Sequence, residues 1–255
     1  MGALGLVAAT GVGMARSKLR LTRRTLRLSR WREDGFRVAQ VSDVHLNNDG
    51  ELRIAREAVE WAVAQKPDLF VFTGDFVNNH DRESLARIGP AFAPLEDLNC
   101  PCLACLGNHD YINHNPPRVR AEVARTRLRL LQNEDYRIGD IRIVGLDDAL
   151  FGNPNYAMVA QDRTASTLVL LHEPDFVDHV PTNAALVLSG HSHGGEICFP
   201  GGLPIHLPRG AKQYWRGYYP HARVPLYVNL GTATLGPARV YCPSEVAVFT
   251  LRPSG

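Results

Sequence analysis

No apolar run in this 255-residue chain reaches the roughly 18 to 20 residues that a membrane-spanning helix needs, so a full span is not expected. Cysteine is scarce: there are five, an odd number for so long a chain. That argues against a disulfide-stapled secreted module. Internal repeats, linkers and low-complexity stretches are missing as well, so one main domain is expected. Charged residues make up 21% and hydrophobic residues 45%. This balance argues against disorder, collagen and coiled coils.

Acidic residues are absent from one region in particular. Residues 1–15 carry no charge, and Arg16 to Arg32 hold eight basic residues and no acidic one. The total of +2 then leaves the rest of the chain at −6. We read residues 1–32 as an apolar, then basic, N-terminal leader and residues 33–255 as the folded domain. Such a leader suits an anionic membrane surface, a nucleic acid or a phosphorylated substrate. Only Trp31 places an aromatic among the basic residues, so base stacking has little support and no nucleic-acid partner is expected. The apolar start lacks the charged n-region of a secretory signal. Positive charge behind it would keep the downstream chain on the cytoplasmic face. A peripheral membrane contact through residues 1–32 and a cytoplasmic location are therefore expected.

From Phe36 onward, strand-like and helix-like segments alternate. Apolar strands are predicted at 36–42, 68–74, 101–107, 141–146, 167–172 and 184–190, and helices at 51–65, at 82–97 with an interruption at Gly89 and Pro90, and at 117–131. Short strands at 225–231, 238–242 and 245–251 close the chain, and the strand-rich end is expected to form a second, mixed sheet. Leu19, Leu21, Leu26 and Leu28 alternate with polar residues as an edge strand would. The pattern is α/β, with largely parallel strands in the first half.

The residues just past each strand carry the chemistry. Asp43 and His45 come after the first apolar run, Asp75 after the second, and Asn108, His109 and Asp110 after the third. His172 comes after a fourth, and His191 and His193 after a fifth. In open α/β sheets the ligand crevice lies outside the carboxyl ends of the strands, so these residues would converge. Two carboxylates, one amide oxygen and four imidazoles suit Mn, Fe, Zn or Co. Seven ligands exceed one tetrahedral ion, but two ions about 3.5–4 Å apart, bridged by a carboxylate, account for them. Each motif alone is weak; their combination and order are specific.

The motifs SDVH (42–45), GD (74–75), GNHD (107–110), HEPD (172–175) and GHSHGGE (190–196) resemble the calcineurin-like metallophosphoesterase superfamily over roughly residues 36–252. The segment NLGTATLGPARVYCPSEV (229–246) looks like one bacterial branch, which contains N-terminally anchored phosphoesterases and UDP-2,3-diacylglucosamine pyrophosphohydrolases of lipid A synthesis. The resemblance implies a two-sheet sandwich flanked by helices, in α/β/β/α order. It implies two divalent metal ions, with Asp43, His45 and His193 on the first, Asn108, His172 and His191 on the second, and Asp75 bridging. His109 would stand beside the scissile phosphate as the catalytic proton donor or charge stabiliser. The implied reaction is hydrolysis of a phosphoester or pyrophosphate bond by in-line attack of a hydroxide shared between the metals. The implied substrate is lipid-linked or nucleotide-linked. Asn78 and Glu196 depart from the family pattern, where Asp and Gln are frequent.

Arg209, Lys212 and Arg216 are candidates for a second phosphate, and Tyr214, Trp215, Tyr218 and Tyr219 for a substrate face or a packed loop. Gly-His-Ser-His-Gly at 190–194 also fits a nucleophile elbow around Ser192. Its required helix is improbable in GGEICFPGGLP, and no Asp occurs after Asp178. The run Cys100, Cys102, Cys105 lies on a predicted buried strand and reads as core. A non-catalytic binding scaffold would have no need of the complete ligand set and His109.

Overall fold

The computed structural model describes residues 18–114, 116–162, 164–235 and 238–255. The apolar start of the expected leader, residues 1–17, lies outside them. Among the described residues the chain runs β1 (Leu19–Leu28), β2 (Phe36–Val41), α1 (Asp49–Ala64), β3 (Leu69–Thr73), α2 (Arg82–Ala86), α3 (Ile88–Phe92), β4 (Cys102–Cys105) and α4 (Pro116–Val123). It continues through β5 (Arg129–Leu130), β6 (Glu134–Ile138), β7 (Ile141–Gly145), β8 (Ser166–Leu170), β9 (Leu186–Ser189), β10 (Gly217–Tyr219), β11 (Leu226–Val228) and β12 (Ser244–Pro253).

Two mixed sheets stack face to face. The first has the order β1-β12-β2-β3-β4-β5 and the second β10-β11-β9-β8-β7-β6. Strands β2 to β5 are mutually parallel, as are β7, β8, β9 and β11. Val38, Leu69, Val71, Leu103 and Phe249 of the first sheet pack against Ile143, Leu168, Leu170, Leu186 and Leu188 of the second. The other face of the first sheet carries the helices. Ala55, Ala58, Val59 and Ala62 of α1 are buried there among Phe70, Phe72 and Phe92. Strands buried on both faces read as continuous apolar runs, which makes them legible in the sequence. The outer face of the second sheet is covered by 3₁₀ turns, Tyr156–Gln161 and Pro174–His179, in place of longer helices. Gln40 is buried in the seam; its amide donates to the Ser189 carbonyl and the Thr73 hydroxyl, both at 3.0 Å, so the sheets are registered at the ends that carry the site.

The structure departs from the sequence reading in several places. The basic stretch Leu19–Leu28 is a parallel partner of β12 along all ten residues, so the first sheet takes in chain from both sides of the boundary expected at residue 32. Leu26 and Leu28 reach the inter-sheet core while Arg20, Arg23, Arg24 and Arg27 stay exposed. Secondly, β12 returns to the first sheet, antiparallel to β2, and the second sheet is built mainly from the middle strands. Thirdly, the helix expected over 117–131 ends at Val123. There the Thr126 hydroxyl donates to the Val123 carbonyl and accepts from the Leu128 amide, a local alternative to helical bonding. Lastly, 238–242 makes a single bridge, Ile197 to Val240, and no strand. Its Arg239 is buried and spends its guanidinium on the Ala233 and Leu230 carbonyls.

Candidate metal centre

All the candidate metal ligands and His109 lie just beyond carboxyl ends of parallel strands, on the same edge of the sandwich. Five of them, Asp43, His45, Asp75, His191 and His193, have φ between +39° and +68°. Non-glycine residues adopt that region at a cost of about 1–3 kcal/mol each, and it clusters at functional sites. The loops are tied to one another at the backbone. Asp43 N donates to Gly74 O at 3.0 Å, and Val44 N and His45 N donate to Asp75 O at 3.1 and 3.2 Å. Gly190 allows the closest approach: a Cβ there would overlap the Ser42 hydroxyl and the Asp43 carboxylate.

The ligand atoms fall into two groups that share Asp75. Asp43, His45, Asp75 and His193 form one, and Asp75, His172 and His191 the other, each with its atoms within 4.8 Å of one another. In the first, His45 Nε2 stands 3.0 Å from His193 Nε2 and 3.4 Å from Asp75 Oδ2, and His193 Nε2 is 3.4 Å from Asp43 Oδ1. In the second, His172 Nε2 is 3.2 Å from Asp75 Oδ2 but makes no hydrogen bond. His172 Nδ1 donates to the Thr73 carbonyl at 2.6 Å, which directs Nε2 to the centre. His191 Nε2 donates to the Arg209 carbonyl at 2.8 Å, and His191 Nδ1 faces Asn108 Oδ1 at 2.8 Å. A neutral His191 has one N–H, already given to Arg209. Two acceptor atoms therefore face each other, an arrangement that a cation resolves. The donor set and its geometry fit a pair of divalent ions.

The electrostatics agree. Burial holds the His45 pKa down to about 3, and burial with the His172 charge holds His191 down to about 4. Burial opposes charge on His172 and His193 too, but the adjacent carboxylates outweigh it. Asp75 keeps His172 well above its ordinary value, and Asp43 and Glu196 raise His193 to about 9. Burial works against the Asp43 carboxylate, yet His193 and His172 hold it at about 2, and His172 and His45 keep Asp75 well below the usual carboxylate range. Two fully buried carboxylates thus demand positive charge at this point.

His109 lines the cavity beside the cluster. Its ring meets His45 edge-on with centroids 4.7 Å apart, and its backbone N–H donates to Asp75 Oδ1 at 2.8 Å. Three supporting residues were given no role in the sequence reading. Asp110 Oδ2 accepts from Asp75 N and Gly107 N, both at 3.0 Å, and Asp110 Oδ1 from Phe76 N at 2.9 Å, clamping two loops together. His80 Nε2 donates to the His109 carbonyl at 2.9 Å. Glu196 Oε1 stands 3.3 Å from His193 Nδ1 and accepts from Leu235 N at 2.6 Å. The motif GNHD contains Asp110, but only the fold shows that its partners are backbone amides of another loop. For His80 there was no sequence signal.

A cavity of about 420 Å³ opens off the cluster. Asp75, Asn108, His109, His191 and His193 line its polar end, and Ile197, Ile205, Pro208 and Leu235 its apolar side. Arg209, Lys212 and Arg216 do not line it. The Arg209 side chain is exposed and only its carbonyl meets His191, Lys212 Nζ donates to the Leu207 carbonyl, and Arg216 Nη1 donates to Gly202 O at 2.9 Å. Tyr214 and Tyr219 stack edge-on, with Tyr214 buried against the second sheet, which favours the packed-loop reading. Ser192 Oγ is spent on the Trp215 carbonyl at 2.6 Å, and only a three-residue 3₁₀ turn comes after it, so the nucleophile-elbow reading fails.

A sequence model described as calcineurin-like phosphoesterase matches residues 36–195. The chain is 35% identical over 234 residues to the uncharacterized metallophosphoesterase YkuE of Bacillus subtilis, covering 86% of this chain and 80% of that protein. It is 27% identical over 281 residues to the UDP-2,3-diacylglucosamine pyrophosphatase LpxG of Chlamydia muridarum, covering 84% and 83%. In fold it is similar to a dimetal phosphatase from Danio rerio at a TM-score of 0.51 and 12% identity, covering 78% of this chain and 88% of that one. Matched over more than half its length, and with paired Asp and His clusters suited to two divalent ions, the chain belongs to the calcineurin-like phosphoesterase family, as a phosphoester hydrolase.

Proposed function

We propose that this hydrolase cleaves a phosphoester or diphosphate bond in a lipid- or nucleotide-linked substrate of the UDP-2,3-diacylglucosamine type. The observation that carries the reading is the cavity, whose polar end is the ligand cluster and whose side wall is apolar. Such a cavity suits a molecule with phosphate at one end and hydrocarbon at the other. The name of the LpxG relative supports the same class.

In this reading Asp43, His45, Asp75 and His193 hold one divalent ion, and Asp75, Asn108, His172 and His191 the other. When bound, such a pair lowers the pKa of water toward about 7 and neutralises phosphate oxygens. The chain's own part is to hold these side chains in place through Thr73, Arg209 and Asp110. His109, at the cavity wall, donates a proton to the leaving oxygen or stabilises the charge that develops there. The reading includes a location at the cytoplasmic face of a membrane, supported by the basic residues 16–32.

Incubating the metal-loaded protein with UDP-2,3-diacylglucosamine, an aryl phosphodiester and an aryl phosphomonoester tests this. Release of UMP at a kcat/KM well above that of either simple ester is expected. Good diester turnover without diphosphate cleavage would overturn the substrate class and leave a generic phosphodiesterase.

A further inference from the structure

From Ile197 to Ser244 the chain has no Asp or Glu, and it carries five Lys or Arg residues. Among the described residues, six of the seven exposed large hydrophobic side chains fall in this same stretch. Phe199 is 55% exposed, Leu203 61%, Ile205 60% and Tyr241 62%. The absence of acidic residues and the exposed apolar side chains therefore coincide in one stretch of the chain.

The apolar side chains sit on a built projection. Phe199 N donates to Leu203 O and Gly202 N to Phe199 O, both at 2.9 Å, closing a tight turn, and Ile205 N donates to Ile197 O at 3.0 Å below it. Cys198 N anchors the base on Val240 O. Gly201 and Gly202 take φ of +91° and +85° at the tip, where the Arg216 guanidinium holds the Gly202 carbonyl. A Cβ on Gly202 would overlap that guanidinium. The projection is thus buttressed outward, and Phe199 and Leu203 stay in solvent.

Its inner side belongs to the active-site cavity: Ile197, Ile205 and Leu235 line it. The apolar surface therefore runs from the projection into the mouth of the site. Arg209, Lys212 and Arg223 are exposed on the same acid-free stretch. Lys18, the first described residue, shares a hollow with Tyr241.

We infer that the 197–205 projection, with Leu235 and Tyr241, is a docking surface for an anionic lipid bilayer, and that docking turns the cavity mouth toward the membrane. Apolar side chains at a projecting turn would enter the acyl boundary while the basic rim meets anionic headgroups. The inference concerns the surface and not the substrate, so the two are tested separately.

The test is co-sedimentation of the full chain with vesicles of phosphatidylcholine alone or with about 30% phosphatidylglycerol, an anionic surface of the kind basic segments recognise, comparing the wild type with Phe199→Ser/Leu203→Ser. Neither residue lines the cavity. Hydrolysis of a soluble aryl diester and the thermal midpoint should stay at wild-type values, confirming the fold. The wild type should bind the anionic vesicles more tightly than the neutral ones. The double variant should bind them at least about tenfold more weakly, as expected for removing two large apolar side chains from the interface. Leu203→Ser alone repeats the measurement with a smaller disturbance and should move the same way. Equal binding of both proteins would overturn the inference, as would equal binding of the two vesicle types. Dissociation of a wild-type dimer by the variant in sedimentation velocity, with vesicle binding unchanged, would assign the surface to a second copy of the chain instead.

Discussion

Replacing Glu196 with Gln removes one charge and almost no volume, at a residue that meets the metal centre through His193. Glu196 Oε1 lies 3.3 Å from His193 Nδ1, and with Asp43 it raises the His193 pKa from 6.5 to about 9. His193 must give up that proton to bind a cation through Nε2. At pH 7.5, displacing a proton held with a pKa of about 9 costs about 2 kcal/mol, or roughly 30-fold in apparent affinity. A hydrogen bond to a charged group contributes about 1.5–3 kcal/mol, so losing the carboxylate should lower the His193 pKa by about one to two units. Wild-type affinity for Mn²⁺ should therefore climb with pH and level off near 9, whereas the variant should level off near 7 to 8. The variant's plateau should also be lower, because the second carboxylate no longer raises the basicity of the ligand. The sign is set by the direction of the shift. A raised pKa means that proton competition, and the stability the proton gives the metal-free fold, are present below about pH 6.5 and lost as pH rises through 9. Calorimetric titration of the metal-stripped proteins between pH 6 and 9.5, in buffers of different ionisation enthalpy, reads both affinity and proton release. Identical midpoints and identical proton release at pH 7.5 would refute the reasoning.

Two further substitutions separate chemistry from architecture. His109→Ala should keep two equivalents of metal yet lose about 10²- to 10⁴-fold in kcat, the range for removing a general acid; parallel loss of metal and activity would assign His109 a structural role. Gly190→Ala places a methyl group against Ser42 and Asp43. Overpacking of this kind costs about 1–3 kcal/mol, so the thermal midpoint should fall and the Asp43 group should lose its ion first. An unchanged midpoint with full metal content would show that the loops yield without harm.

Much of the site could be read from the sequence because β2, β3, β4, β8 and β9 are covered on both faces, and each apolar run stops where the chemistry starts. The elements that escaped have weak periodicity. The strand Glu134–Ile138 is a half-exposed edge that includes Glu134, Asp135 and Arg137, and Gly217–Tyr219 has only three residues. Arg239 sits in what looks like a strand run, yet it is buried to satisfy the carbonyls of Ala233, Leu230 and the distant His193, and no local pattern reveals this. Asp110 and His80 act on backbone atoms some thirty residues away, and the cavity wall is assembled from side chains around residues 197, 205 and 235. Such roles depend on long-range closure of the chain.

The seam bridged by Gln40 has a consequence for assembly. Asp43, His45, Asp75 and Asn108 project from one sheet, and His172, His191 and His193 from the other. No single sheet offers a full coordination sphere for either ion, so a cation finds little to hold until the two layers have met in register. Occupancy is then a rivet set last. It should add most to the resistance of the layers to separation and least to the rate at which each layer forms. Starvation for metal would leave a protein that still folds but whose halves part more readily at the edge where the substrate enters.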